Sequence, residues 1–250
     1  MASAIGSAHR EFGKPCQDAG RVDVVVDARD AVCLVAAVAD GAGSAALSQH
    51  GATATCNALV AAVRRWWQDS ARGVLDESML RAAFAEAHAA LEAQALQHSC
   101  SLRELACTAL LAVVTPTAGG FAQIGDGAIV WQAAGGESPL EIAFWPDQGE
   151  YANITRFLSD EDWSSALRAR CESVRVLQLS LFSDGLQRLA LKLADKQPHA
   201  PFFAPLWQAL GALDAGAQAR FAQDMQAWLG SPAIEARTDD DKTLVLAVRV

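Results

Sequence analysis

The sequence predicts an α+β fold in which mostly antiparallel sheets are covered by helices. Three observations carry that expectation. Strand-like apolar runs come in neighbouring pairs joined by turn-rich segments. Two long stretches between those pairs repeat apolar residues at helical spacing. The chain order is strands, a helical pair, strands, helices and a closing strand.

After a first extended segment, Asp23 to Val26 and Ala31 to Ala39 read as two strands of a hairpin, joined by the polar turn Asp27-Ala28-Arg29-Asp30. Gly41-Ala42-Gly43 follows, and Ser44 is placed to cap a long helix from about Ala45 to Trp67. Asp76 or Ser78 starts a second helix, from about Met79 to Gln97, with Leu80, Phe84, Ala87 and Leu91 on one stripe. Thr108 to Val114 and Phe121 to Ile124 form another hairpin across Thr115-Pro116-Thr117-Ala118-Gly119-Gly120, and Ala128 to Gln132 continues as a strand. Between Gly135 and Arg175 the pattern turns irregular, with Pro139, Pro146 and Gly149, and with Ser159 placed to cap a short helix at Asp160-Glu161-Asp162. A surface excursion of that length is often functional, and this one is expected to govern substrate choice. Val176 to Phe182 is a strand, helices follow around Leu186 to Ala194 and Pro205 to Leu229, and Thr243 to Val248 closes the chain as a strand.

Composition narrows the class. Of the 250 residues, 52% are hydrophobic and 20% charged, with no low-complexity tract to act as a linker, so residues 1–250 are expected to form one globular domain. A formal net charge of -9 without a Lys/Arg cluster argues against a nucleic-acid partner. Apolar stretches fall well short of the roughly 20 residues that span a bilayer, and Met1-Ala2-Ser3-Ala4-Ile5-Gly6 lacks the basic start of a secretory signal; no membrane association and a cytoplasmic location are expected. Cys16, Cys33, Cys56, Cys100, Cys107 and Cys171 contain no C-x-x-C pair and read as reduced, mostly buried thiols.

The chemistry lies in four aspartates, each closing or opening an apolar run: Asp40 in Val38-Ala39-Asp40-Gly41, Asp126 in Ile124-Gly125-Asp126-Gly127, Asp184 in Phe182-Ser183-Asp184-Gly185, and Asp240 in Thr238-Asp239-Asp240-Asp241-Lys242-Thr243. Acids at the ends of buried strands gather at a sheet rim and repel one another unless a cation neutralises them, and oxygen ligands suit magnesium or manganese. An Asp-Gly pair alone is usually a turn. No nucleophile elbow, phosphate-cradling loop or H-E-x-x-H spacing offers a different chemistry. The histidines His50, His88, His98 and His199 therefore read as surface or core residues. The tryptophans Trp66, Trp67 and Trp207 read as packing residues, while Trp145 and Trp163 are candidates for a substrate surface.

The order of these motifs resembles the metal-dependent Ser/Thr protein phosphatases of the PP2C type, in the bacterial branch whose first motif reads Gln-Asp. The resemblance runs from Gly6-Ser7-Ala8-His9 and Pro15-Cys16-Gln17-Asp18-Ala19, through Ala39-Asp40-Gly41-Ala42-Gly43, Gly125-Asp126-Gly127 and Ser183-Asp184-Gly185, to Asp240-Asp241-Lys242-Thr243-Leu244; Gly149-Glu150-Tyr151-Ala152-Asn153-Ile154-Thr155 is similar to a stretch near the active site of that branch. It implies a sandwich of two mostly antiparallel β-sheets flanked by helix pairs, with two Mn2+ or Mg2+ ions at one end. Asp40 would bridge the ions, Gly41 would offer its carbonyl, Asp184 and Asp240 would complete the core, Asp18 would act through water, and Asp126 would help hold a third ion. Asp40, Asp184 and Asp240 would thus be catalytic through metal-bound water, which two ions about 3.5 to 4 Å apart activate for in-line attack.

The surroundings depart from the family pattern. Gln17 stands where a glutamate is common, Gly13 where a phosphate-binding arginine is frequent, and Ala42 where many members carry a histidine. Lys14 and His9 are then the two candidates for the substrate phosphate, with Arg10 as a further alternative and Lys14 acting as a point charge without arginine's fork. The implied substrate is a phosphoprotein made by a Ser/Thr kinase. The alternatives are a catalytically weak sensor or scaffold, suggested by Gly13, Gln17 and Ala42, and a phosphatase of small phosphoesters.

Overall fold

The computed structural model describes residues 1–135, 138–146, 155–214 and 216–249. The first half contains β1 (Ala2–Ala4), α1 (Ser7–Glu11), β2 (Ala19–Val26), β3 (Val32–Ala39), α2 (Ser48–Gln68), α3 (Glu77–His98), β4 (Ala109–Val114), β5 (Gly119–Ile124) and β6 (Ala128–Ala133). The second contains β7 (Glu141–Ile142), α4 (Trp163–Ala166), β8 (Arg168–Glu172), β9 (Val176–Phe182), α5 (Gln187–Ala190), β10 (Leu191–Lys192), β11 (Gln197–Pro198), α6 (Ala200–Gly211), α7 (Gln218–Leu229), α8 (Pro232–Glu235) and β12 (Lys242–Val248). Short 3-10 turns lie at Leu102–Leu105 and Asp184–Leu186.

Two five-stranded sheets form, ordered β1-β12-β9-β6-β7 and β2-β3-β4-β5-β8, with every pairing antiparallel. Strand β3 shows why its run is continuously apolar: Val35, Ala37 and Ala39 face α2 and α3, while Ala36 and Val38 face the other sheet. The layer between the sheets is filled by Leu110, Phe121, Ile129, Trp131, Leu179, Leu181 and Val245. Beneath the other sheet, Phe182, Phe203, Trp207, Leu229 and Leu244 pack it against α6 and α7. The result is helix, sheet, sheet, helix, the α+β sandwich expected from the sequence. No helix among the described residues is long and apolar enough to cross a membrane.

Local signals held unevenly. Asp76 caps α3, its side chain accepting from the Met79 N–H at 3.0 Å. Ser44 caps nothing: α2 begins at Ser48, and the Leu47 N–H before it is satisfied by the Glu104 carbonyl at 2.8 Å, a long-range contact in place of a side-chain cap. Ser159 is buried, and the short helix α4 begins after Asp162 instead. The stretch expected from Leu186 to Ala194 is only one helical turn before the chain turns into β10, and the stretch from Pro205 to Leu229 is two helices, the first starting ahead of Pro205. The irregular region holds an unexpected strand, β8, whose Ala169 and Cys171 pack on the α2/α3 core while the half-buried Arg168 and Arg170 donate to the Trp145 and Ala143 carbonyls at 2.9 and 3.2 Å.

Candidate active site

Antiparallel pairing puts the acids at one end of the sandwich. Ala19 pairs with Ala39, so Asp18 before β2 sits beside Asp40 after β3. Phe182 pairs with both Leu244 and Ala128, so Asp184 after β9 sits near Asp240 before β12 and Asp126 before β6. Asp40, Gly41, Asp126, Asp184 and Asp240 line one cleft of about 330 Å³, together with His9, Ala42, Gly43, Ser44, Thr108, Thr155 and Phe157.

Asp40, Asp126 and Asp18 are each fixed by a neighbouring element. The Asp40 backbone is clamped by Thr108, whose N–H donates to the Asp40 carbonyl at 2.8 Å and whose Oγ1 accepts from the Asp40 N–H at 3.0 Å. Gln123, fully buried, ties the Asp126 turn by donating to the Gly125 and Gly127 carbonyls at 3.0 and 2.7 Å. Thr155 donates to Asp126 Oδ2 at 3.1 Å, and Gln187 to the Asp126 carbonyl at 2.6 Å. Ser183 donates to Asp18 Oδ2 at 2.6 Å and accepts from the Thr243 N–H at 3.0 Å. Two glycines allow the rim loops to touch: a Cβ on Gly6 would lie 2.3 Å from the Asp239 carbonyl oxygen, and one on Gly185 2.1 Å from that of Asp241.

The electrostatics are those of crowded acids. Burial, with the Asp241 and Asp184 charges, pushes Asp18 from 3.8 up to about 7, against the hydrogen bonds from Ser183 and Thr243. Burial and the charges of Asp126 and Asp240 push Asp184 up to about 6. Burial also raises Asp126, and it raises Asp40 well above the usual carboxylate range, helped by Asp18 and Asp184. Three buried oxygens, Asp18 Oδ1, Asp184 Oδ1 and Gln17 Oε1, have no hydrogen-bond partner among the described residues. Among the described residues no three His, Cys, Asp or Glu side chains are spaced as a finished coordination set. The donors nevertheless suit a hard divalent ion: oxygen only, short of partners among the described residues and, apart from the exposed Asp240, buried or half-buried with pKa values raised by that burial.

Other expected residues fall elsewhere. Lys14 donates to the Gly43 carbonyl at 2.9 Å and lines an adjoining pocket with Gln17, Ser44 and His50. Trp163 stacks on His88 and packs against the α2/α3 core, and Trp145 is partly buried against the other core. All six cysteines are free; burial pushes the Cys33 and Cys107 thiols up to about 12, which makes poor nucleophiles of them. The segment 149–154 lies outside the described residues, apart from the Thr155 that follows it.

Two residues outrank the place sequence reasoning gave them. Asp241 is buried and accepts from the Gly6 N–H at 2.7 Å, the Gln17 N–H at 2.6 Å and the His9 ring at 2.8 Å, so it ties the N-terminal segment to the rim. In sequence it is one of three successive acids with no local mark of difference. His9, a candidate for the phosphate, proves to be half of a His–Asp pair on the cleft wall.

The sequence profile described as protein phosphatase 2C matches residues 5–230. Serine/threonine-protein phosphatase 3 of Escherichia coli (strain K12) is 36% identical over 250 residues, covering 99% of this chain and 96% of that protein. The fold is similar to the crystal structure of a bacterial serine phosphatase, with a TM-score of 0.59 at 15% identity over 94% of this chain and 92% of that one. It is also similar to the serine/threonine phosphatase Stp1 from Staphylococcus aureus, with a TM-score of 0.54 at 15% identity over 95% and 90% of the two chains.

Proposed function

The chain belongs to the protein phosphatase 2C family, and from that we propose that it is a metal-dependent phosphatase removing phosphate from phosphoserine and phosphothreonine in protein substrates. The observation that carries the reading is the rim of five aspartates, four of them with raised pKa values and two with a buried oxygen lacking a partner among the described residues. Holding such acids together is costly to the fold unless a cation is to be bound there.

In this reading Asp40, Asp184 and Asp240, with the Gly41 carbonyl and Asp18, hold two Mn2+ or Mg2+ ions, and Asp126 serves a third. Such ions supply Lewis acidity toward phosphoryl oxygens and acidify water. The protein contributes alignment. Thr108 fixes the Asp40 backbone, Ser183 holds Asp18, and the buried strands behind them keep the acids from relaxing into solvent. Of the two candidates for substrate contact, His9 faces the acidic cleft and Lys14 the adjoining pocket, where it can meet a flanking part of the substrate. Residues 1–250 act as one catalytic unit in this proposal, because the site draws on Asp18 near one end and Asp240 near the other. The partner is a phosphoprotein made by a Ser/Thr kinase, and the setting is the cytoplasm.

The test is release of inorganic phosphate from a phosphothreonine peptide by the purified protein with manganese or magnesium, beside a small phosphoester and beside Asp40→Asn. Turnover of the peptide that disappears in the variant is expected. Turnover of the small ester alone would move the substrate class, and no metal-dependent turnover of either would sink the proposal.

A further inference from the structure

We propose that His9 is the catalytic proton donor to the leaving oxygen of the phosphoester, with Asp241 as its positioning residue; the inference rests on the phosphatase reading above. The geometry begins at Gly6, whose close approach to the Asp239–Asp240 backbone seats α1 against the rim, where the Ala8 N–H donates to the Asp239 carbonyl at 3.0 Å. From α1 the His9 ring reaches the cleft wall, and Nδ1 lies 2.8 Å from Asp241 Oδ2. That carboxylate already accepts from the Gly6 and Gln17 N–H groups, so it acts as an acceptor and the hydrogen of this bond resides on Nδ1. The other ring nitrogen, Nε2, is then the working atom. It lies at Gly43, 3.8 Å from where a Cβ there would stand, and among the described residues nothing hydrogen-bonds to it. The ring is mostly buried, at 16% side-chain exposure, and shares the cleft with Asp40, Asp126, Asp184 and Asp240.

The other groups on the wall are committed or, like the Ser44 hydroxyl, too weakly acidic to protonate a departing alkoxide. Thr155 already donates to Asp126, Ala42 has no proton to give, and the carboxylates are occupied as ligands in the proposed function. A histidine whose far nitrogen is held by a buried carboxylate is a general acid or base with a fixed ring orientation. Here the substrate supplies the need, since a serine or threonine alkoxide is a poor leaving group. As the bond from phosphorus to the Ser/Thr oxygen breaks, its electron pair goes to that oxygen, which takes the Nε2 proton and departs as a hydroxyl. Phosphorus gains the oxygen of an attacking water. One proton of that water stays on the inorganic phosphate, and the other is released and restores the imidazolium.

The experiment is a leaving-group comparison on the metal-loaded full chain. For His9→Gln, kcat on a phosphothreonine peptide should fall about 10²-fold, the lower end for general acid catalysis. On 4-nitrophenyl phosphate, whose leaving group departs as a stable anion, kcat should fall less than about threefold, which also shows that the variant is folded and loaded. An equal fall on both substrates would mean that His9 contacts the phosphate or only supports the structure or the metal, and no fall on either would remove it from the chemistry; both outcomes overturn the proposal. A parent protein that turns over neither substrate refutes the phosphatase reading and this inference with it.

Discussion

Replacing Asp18 by asparagine should stabilise the metal-free protein at pH 8 and hardly alter it at pH 4. The Asp18 carboxyl is 7% exposed, and burial raises it from 3.8 to about 7. The sign follows from linkage. Because the folded value is the higher one, the stability Asp18 contributes is complete below pH 3.8 and is lost as pH rises through about 7. At about 1.4 kcal/mol per pH unit over roughly three units, the loss is on the order of 4 kcal/mol, of which about 2–3 kcal/mol falls between pH 5 and 8. Asparagine does not titrate, and its amide oxygen can still accept from Ser183. Urea unfolding of chelator-treated parent and Asp18→Asn at pH 5, 6.5 and 8 measures this directly: the parent should lose stability across the series and the variant should lose less, since Asp40 and Asp184 still titrate in the same sense. Excess manganese should flatten the parent's dependence, because an ion that binds only the folded state compensates the ionised acids. Parallel slopes for parent and variant, or a parent whose stability rises from pH 5 to 8, would refute the reasoning.

Three further substitutions test the frame around the site. Gly185→Ala sets a methyl 2.1 Å from the Asp241 carbonyl oxygen, so the rim loops must separate; a loss of about 1–3 kcal/mol and reduced turnover are expected, and a melting curve matching the parent would contradict the close approach. Thr108→Val leaves the Asp40 N–H without its acceptor, at a cost of about 1–3 kcal/mol in thermal unfolding, and a manganese titration should show weaker binding. Trp207→Ala, at a position 2% exposed with its indole N–H on the Leu179 carbonyl, should cost about 3–5 kcal/mol in urea titration, and a cost below 1 kcal/mol would show that α6 is not a full partner of the sheet.

The architecture was legible wherever burial is two-sided or periodic. Strand β3 is apolar on both faces because helices cover one and a sheet the other, and α3 carries both its stripe and its Asp76 cap in plain view. Sequence reasoning failed where a distant partner sets the boundary. The start of α2 depends on the Glu104 carbonyl, and β8 could be found only from the alternation Arg168-Ala169-Arg170-Cys171-Glu172 inside a stretch full of turn residues. Four aspartates of the acidic rim were visible because each sits at the end of an apolar run, whereas Asp18 was found only through the family resemblance. Asp241 and His9 were harder to rank, because their importance lies in a hydrogen bond between residues 232 positions apart.

The pairing of β1 with β12, Ala2 opposite Leu244, also sets when the site can exist. A nascent chain leaves the ribosome at about 5–20 residues per second, and Asp18, Asp40 and Asp126 emerge long before Asp240 and Asp241. Until they do, Gly6, His9 and Gln17 have no carboxylate to gather them and the rim lacks one of its acids. Strand β12 therefore acts as a timer: until it has been made and has paired with β1, the acids around Asp18 and Asp40 wait for Asp240 and the rim stays open.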